Sequence, residues 1–103
     1  MTAAEFQHIA TGIPKLPGIY KYYNSENELL YVGKAKHLRK RVSSYFIKTL
    51  TSYKTYELVQ RIERIEFTIV NSEPDAFLLE NTLIKQFQPK YNINLKDDKS
   101  YPF

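Results

Sequence analysis

The sequence predicts an α+β domain, with helices against a small, mainly antiparallel three-stranded sheet. Three observations support this. Two short runs rich in Ile, Val, Leu and Tyr, Gly18 to Tyr23 and Leu29 to Gly33, flank the polar stretch Asn24 to Glu28. Apolar residues then recur at helical spacing from about Ala35. Finally, the β-branched and aromatic run Glu66 to Val70 precedes a clear helix start at Ser72. At 103 residues the chain is expected to form one domain over 1–103, with about 14–103 as its patterned core.

Residues 1–15 show no strong periodicity, and Pro14 and Pro17 set the chain extended before Gly18. The two β-rich runs read as a hairpin. A turn centred near Ser25 and Glu26 pairs positions whose numbers sum to about 51, so Tyr20 faces Tyr31, with Tyr22 and Leu29 on the same side. From about Ala35 to Ile47, Leu38, Val42, Tyr45 and Phe46 form an inward face, while Lys34, His37, Arg41 and Lys48 follow a neighbouring cationic stripe. A second helix is expected from Thr55 to about Arg64, with Leu58, Val59, Ile62 and Ile65 inward. Glu66 to Val70 is the third strand. Ser72 is an N-cap, Pro74 suits the first turn, and Asp75 can complete a capping box. This last helix runs to about Gln88, where Pro89 stops it. The order is β-β-α-α-β-α.

Composition excludes several chemistries. Without cysteine there are no disulfides, iron–sulfur clusters or thiolate zinc sites, and the two histidines cannot close a zinc site alone. No apolar run approaches the roughly 20 residues of a membrane span, and Met1 to Gly18 lacks a signal peptide's apolar stretch. A cytoplasmic setting is expected. The net charge of +4 is unevenly spread: residues 1–53 hold eight Lys/Arg against three Glu, and residues 54–103 hold seven against eight acids. Between Lys34 and Lys48 there are six cations and no acid, the footprint expected for a polyanionic partner.

Four features bear on chemistry. Tyr20 and Tyr31 are phenols on rigid strands, suited to hydrogen-bonding a phosphate or taking a proton from water. Gly33 is expected to end the second strand, where it permits a tight turn or a close backbone approach. It does not belong to a nucleotide-binding P-loop, because the upstream glycine is replaced by Glu28 and Ala35 stands where Ser or Thr is needed. Arg41, one turn before Tyr45, offers a planar cation for a phosphodiester oxygen; whether it or Arg39 points inward depends on helix phase. Glu80 shares a helical face with Ala76, Leu83, Ile84 and Phe87, which places a carboxylate against the core and calls for a divalent metal or an arginine. One carboxylate suits Mg²⁺, which keeps most of its waters, rather than a two-metal centre. Asp97 and Asp98 fit a polar turn.

Gly18-Ile19-Tyr20, the hairpin, Tyr31-Val32-Gly33, Arg41 on the next helix and a single Glu80 on a later one together resemble the GIY-YIG nuclease family. Further blocks narrow the likeness to its excision-repair branch, the N-terminal domain of the UvrC component of the bacterial UvrABC excinuclease: Leu16 to Tyr20, Tyr31 to Leu38, Arg41 to Phe46, Leu79 to Lys85, and Gln88 to Asn92 with Asp97 to Pro102. This resemblance covers about residues 14–103. It implies a magnesium- or manganese-dependent endonuclease, using one ion, that makes the 3′-side incision near a lesion in double-stranded DNA. Position by position it implies catalytic roles for Tyr20, Tyr31, Lys34, Arg41, Tyr45, Glu80 and Asn92, with Glu80 as the metal ligand and Tyr20 as the favoured base. The basic segment, Lys34, Lys36, His37, Arg39, Lys40, Arg41 and Lys48, would bind DNA. The family's excinuclease proteins are longer and bind UvrB through parts absent here, so the chain is expected to be an N-terminal fragment. Two alternatives are a nucleic-acid-binding module that does not cut and a different structure-specific nuclease of the same family.

Overall fold

The computed structural model describes residues 1–46 and 53–92; Lys48, Asp97, Asp98 and residues 99–103 lie outside them. Its elements are helix α1 (Ala3–Ala10), strands β1 (Gly18–Tyr23) and β2 (Leu29–Ala35), helix α2 (Leu38–Ser43) continuing into a 3-10 turn (Ser44–Phe46), helix α3 (Tyr53–Arg61), strand β3 (Arg64–Ile69) and helix α4 (Glu73–Phe87). β1 is the central strand, antiparallel to both neighbours in the order β2-β1-β3. The expected three-stranded α+β architecture is therefore present, preceded by one helix that hydrophobic periodicity does not reveal. Among the described residues, no helix is long and apolar enough to cross a membrane.

That extra helix is fixed locally. Thr2 Oγ1 accepts from the Glu5 N–H at 3.1 Å and Glu5 Oε1 accepts from the Thr2 N–H at 2.8 Å, a complete capping box. Phe6 then stacks on Phe46 at 4.3 Å. Arg39 closes the other end, donating from Nε to the Ile13 carbonyl at 2.9 Å and from Nη2 to the Thr11 carbonyl at 2.8 Å, where helix-end carbonyls lack partners. Arg39, expected to bind DNA, ties α2 to the N-terminal segment through these two bonds.

The hairpin register differs from expectation by two residues. Tyr20 pairs with Gly33 and Tyr22 with Tyr31, and an irregularity between Tyr22 and Tyr23 makes Tyr23 pair with Leu29. A bulge that adds one residue reverses side-chain alternation beyond it. Leu30 therefore joins the tyrosine face, while Leu29 packs with Ile19 and Val32 on the other. Asn24 builds the turn by accepting from the N–H groups of Glu26 and Glu28, both at 2.9 Å, and Asn27 adopts positive φ.

The core lies on both faces of the sheet. Tyr20 and Tyr22 pack with Leu38, Val42, Leu58 and Ile62, and Ile19 and Val32 pack under Ala76, Leu79, Leu83 and Ile84 of α4. Helix α2 is shorter than expected because β2 extends to Ala35 and His37 caps α2, its Nδ1 accepting from the Lys40 N–H at 3.2 Å. α3 and β3 each begin about two residues before the positions expected. At α4 the Ser72 half of the anticipated box forms, Ser72 Oγ accepting from the Asp75 N–H at 3.3 Å. Gln88 ends the helix in the left-handed region before buried Pro89.

Candidate active site

Strand alternation puts Tyr20, Tyr22 and Tyr31 on one face, and the 3-10 turn after α2 brings Tyr45 over them. The four rings lie with centroids 5.2 to 6.4 Å apart. Tyr20 Oη and Tyr45 Oη share a hydrogen bond of 2.8 Å, and Arg41 Nε donates to Tyr20 Oη at 3.3 Å. The Arg41 guanidinium also lies 5.4 Å from the Tyr45 ring centroid, a cation–π contact. Of the two arginines left open by helix phase, Arg41 therefore joins the phenols, and its residue remains exposed.

Gly33 stands inside β2 rather than at a turn, and its φ is not positive. Space is what it provides: a Cβ there would lie 2.3 Å from Tyr20 Cζ and Oη. The Tyr20 ring thus lies flat over the glycine opposite it, which lets its hydroxyl reach Arg41 and Tyr45.

Burial sets the electrostatics of the cluster. Tyr20 is 1% exposed, and desolvation pushes its phenol up to about 12 despite the Arg41 charge and the hydrogen bonds from Tyr45 and Arg41. Burial likewise raises Tyr22, Tyr31 and Tyr45, and in turn the phenols hold the Arg41 charge more firmly. At neutral pH every phenol in the cluster is protonated, so the arginine does not by itself generate a phenolate. Tyr22 contributes a fourth phenol that is not among the expected site residues, and its buried hydroxyl has no hydrogen-bond partner. Its position two residues beyond Tyr20 is the strand signal that identifies it.

This arrangement predicts alkaline instability. The folded-state values lie above that of a free phenol, near 10, so the unfolded chain releases its protons first. The stabilisation is complete below about pH 10 and is lost as pH rises through the folded values, Tyr20 alone contributing on the order of 2–3 kcal/mol. Tyrosinate absorbance from the cluster should therefore appear together with loss of circular dichroism. Ionisation of all nine tyrosines near pH 10 with the fold intact would contradict it.

Glu80 lies on α4, which covers the opposite face of the sheet from the tyrosines. It is half-buried rather than sealed in the core, and Phe87, expected on its inward face, is exposed; Leu79 packs inward instead. The Glu80 charge nevertheless acts at the Tyr31 phenol, which it raises further. Tyr31 is on β2, an outer strand of the sheet, and is the one half-buried phenol of the four. Asn92 braces that strand: its Oδ1 accepts from the Val32 N–H at 2.8 Å and its Nδ2 donates to the Val32 carbonyl at 2.9 Å.

The remaining expected residues separate. Lys34 shares the α4 face with Val32, so it flanks β2 from the side opposite Arg41. It lines a hollow with Lys36, and Lys36 Nζ pairs with Glu73 Oε2 at 3.5 Å. Lys40 is exposed, while His37 is engaged in capping α2. Tyr20, Tyr31, Arg41 and Tyr45 thus form one cluster, the Glu80 charge acts on its Tyr31, and Lys34 and Asn92 sit along β2 from the α4 side and at Val32.

Among the described residues, no group of three or more His, Cys, Asp or Glu side chains gathers as a metal cage. A single half-buried carboxylate is a donor set for an ion that takes one or two protein oxygens and retains its waters, as Mg²⁺ does.

A family model described as a UvrC-like GIY-YIG domain matches residues 16–93. The chain is similar to the UvrABC system protein C of Pseudoalteromonas translucida, 52% identical over 102 residues that cover 97% of this chain and 17% of that protein. It is also similar to the protein of that name from Shewanella piezotolerans, 59% identical over 87 residues that cover 84% of this chain and 14% of that one. Among solved structures it resembles the GIY-YIG N-terminal endonuclease domain of UvrC from Thermotoga maritima, bound to magnesium as its catalytic divalent cation. The TM-score is 0.74 at 32% identity, covering 84% of this chain and 94% of that one. The chain spans less than a fifth of the length of the curated relatives it matches.

Proposed function

The chain belongs to the UvrC-like GIY-YIG domain family, and from that membership we propose that it hydrolyses a DNA phosphodiester, making the 3′-side incision near a lesion in bacterial nucleotide excision repair. The observation that carries this reading is the phenol cluster holding Arg41 through Tyr20, with the Glu80 charge acting at its Tyr31 member. The substrate is damaged duplex DNA in the cytoplasm, and the partners are the other components of the UvrABC system, UvrB among them. Arg41 and exposed Lys40 supply positive charge beside the phenols, and Lys34 supplies it from the α4 side of β2.

Glu80 would hold one Mg²⁺ or Mn²⁺, whose charge lowers the pKa of nearby acids and neutralises the departing 3′-oxygen. Arg41 is oriented by its bond to Tyr20 Oη and its contact with Tyr45. Its outward N–H groups meet the non-bridging phosphate oxygens, where charge accumulates as water attacks. Tyr31 is the one half-buried phenol of the four, so Tyr31 Oη takes the proton of the attacking water as it passes its own on to bulk solvent. Tyr20 is covered, with its hydroxyl occupied, and acts by positioning Arg41. Asn92 holds β2, and with it Tyr31, in register. Family resemblance favours Tyr20 as base; the partial exposure of Tyr31 beside covered Tyr20 supports Tyr31 in that role.

Tyr31→Phe is accordingly expected to slow incision by about 10²–10⁴-fold, and Tyr20→Phe by less. The wild-type rate should climb with pH through the neutral range as the phenol becomes easier to deprotonate, whereas Tyr31→Phe should give a flat profile. A sloping profile in Tyr31→Phe, or a flat one in Tyr20→Phe alone, would return the base role to Tyr20.

A further inference from the structure

The hollow beside Lys34 is not used by the chemistry above. It has a volume of about 480 Å³ and is lined by Lys34, Ala35, Lys36 of β2 and the segment after it, and by Glu73, Pro74, Ala76 and Phe77 of α4. That volume lies in the range of roughly 300–1,000 Å³ typical of small-ligand clefts. Phe77 is 53% exposed although its neighbour Ala76 is buried, so an aromatic ring stands at the wall of a cavity open to solvent. Ala76 and Phe77 lie one helical turn before Glu80, so one wall of the hollow and the proposed metal ligand belong to the same stretch of α4.

Resting on the nuclease reading, we infer that this hollow is a subsite for the nucleoside adjoining the scissile phosphate, with its base or sugar laid against Phe77. The charges select this occupant. Lys36 is neutralised by Glu73 at 3.5 Å, and among the described residues Lys34 forms no ion pair. The hollow therefore offers one uncompensated cation at its border and a lining of Ala35, Pro74, Ala76 and Phe77. A polyphosphate would meet the Glu73 carboxylate and a mostly apolar wall. A single nucleoside joined to one bridging phosphate places its ring on Phe77 and its phosphate toward Lys34. The ring contact is independent of sequence, because every base has an aromatic face, as suits an enzyme that must cut beside damage in any context.

The subsite is tested with duplexes carrying 2-aminopurine on one or the other side of the incision point, bound in Ca²⁺ so that cleavage is suppressed. The wild-type protein should quench the probe on one side only. Phe77→Ala should abolish that quenching and raise KM about tenfold, with the loss falling on KM rather than kcat, and Phe77→Tyr should restore both. Lys34→Gln should weaken binding while leaving the probe quenched in the complex that forms. Unchanged quenching and KM in Phe77→Ala, alongside normal incision, would eliminate the subsite and leave the nuclease reading standing. A wild-type protein that neither binds nor cuts these duplexes would remove both.

Discussion

Glu80→Gln is expected to lower DNA incision by about a thousandfold or more while the domain stays folded. Glutamine keeps the size of the side chain and a carbonyl oxygen but removes the charge, and a half-buried position on α4 tolerates it. The variant has a second readout that does not depend on turnover. Because the Glu80 charge raises the Tyr31 phenol, its removal should let Tyr31 ionise at lower pH, visible in a tyrosinate titration without metal. Magnesium binding, measured calorimetrically, should be lost in parallel. Near-wild-type incision by Glu80→Gln in the full-length protein would remove the acid from the mechanism. An unchanged Tyr31 titration would uncouple the carboxylate from the phenol.

A large effect on stability is expected at Gly33. In Gly33→Ala the new Cβ would lie 2.3 Å from Tyr20 Cζ and 2.7 Å from Cε2. The ring cannot easily withdraw, because it is 1% exposed and its hydroxyl is held by Tyr45 and Arg41. Overpacking of this kind costs about 3 kcal/mol or more, roughly a 15 °C fall in the melting temperature for a domain of this size. Tyr20→Leu removes the obstructing ring and should recover much of that loss when combined with Gly33→Ala. A double-mutant cycle with no coupling would show that the glycine serves some purpose other than seating the tyrosine.

Much of the site is legible in the sequence because its parts are set by short-range rules. The parity of Tyr20, Tyr22 and Tyr31 along their strands follows from the two-residue period, and Ser72 announces the start of α4. The same period also assigns Lys34 to the face opposite Tyr31, a consequence that grouping Lys34 with Arg41 overlooks. The register is not legible: Tyr20 to Tyr22 pair two positions from expectation, and the irregularity between Tyr22 and Tyr23 leaves Tyr23 one position from it. Nor is the division of labour between the arginines. It depends on where α1 lies, and α1 is set by a Thr2–Glu5 capping box rather than by a hydrophobic stripe. Glu80 looks like a core residue because the sequence does not fix helical phase to within one residue: Leu79 packs inward and Glu80 beside it is half-buried.

The bonds from Asn92 to Val32 have an implication beyond holding the strand. An outer strand with vacant amide and carbonyl groups invites another chain to zip onto it. By engaging both groups of Val32, the asparagine leaves a newcomer at that position without a template unless it first evicts the side chain. Asn92→Ala should therefore do more than loosen a loop: it would expose a sticky seam beside the reactive groups, and self-association would compete with substrate for the same ground.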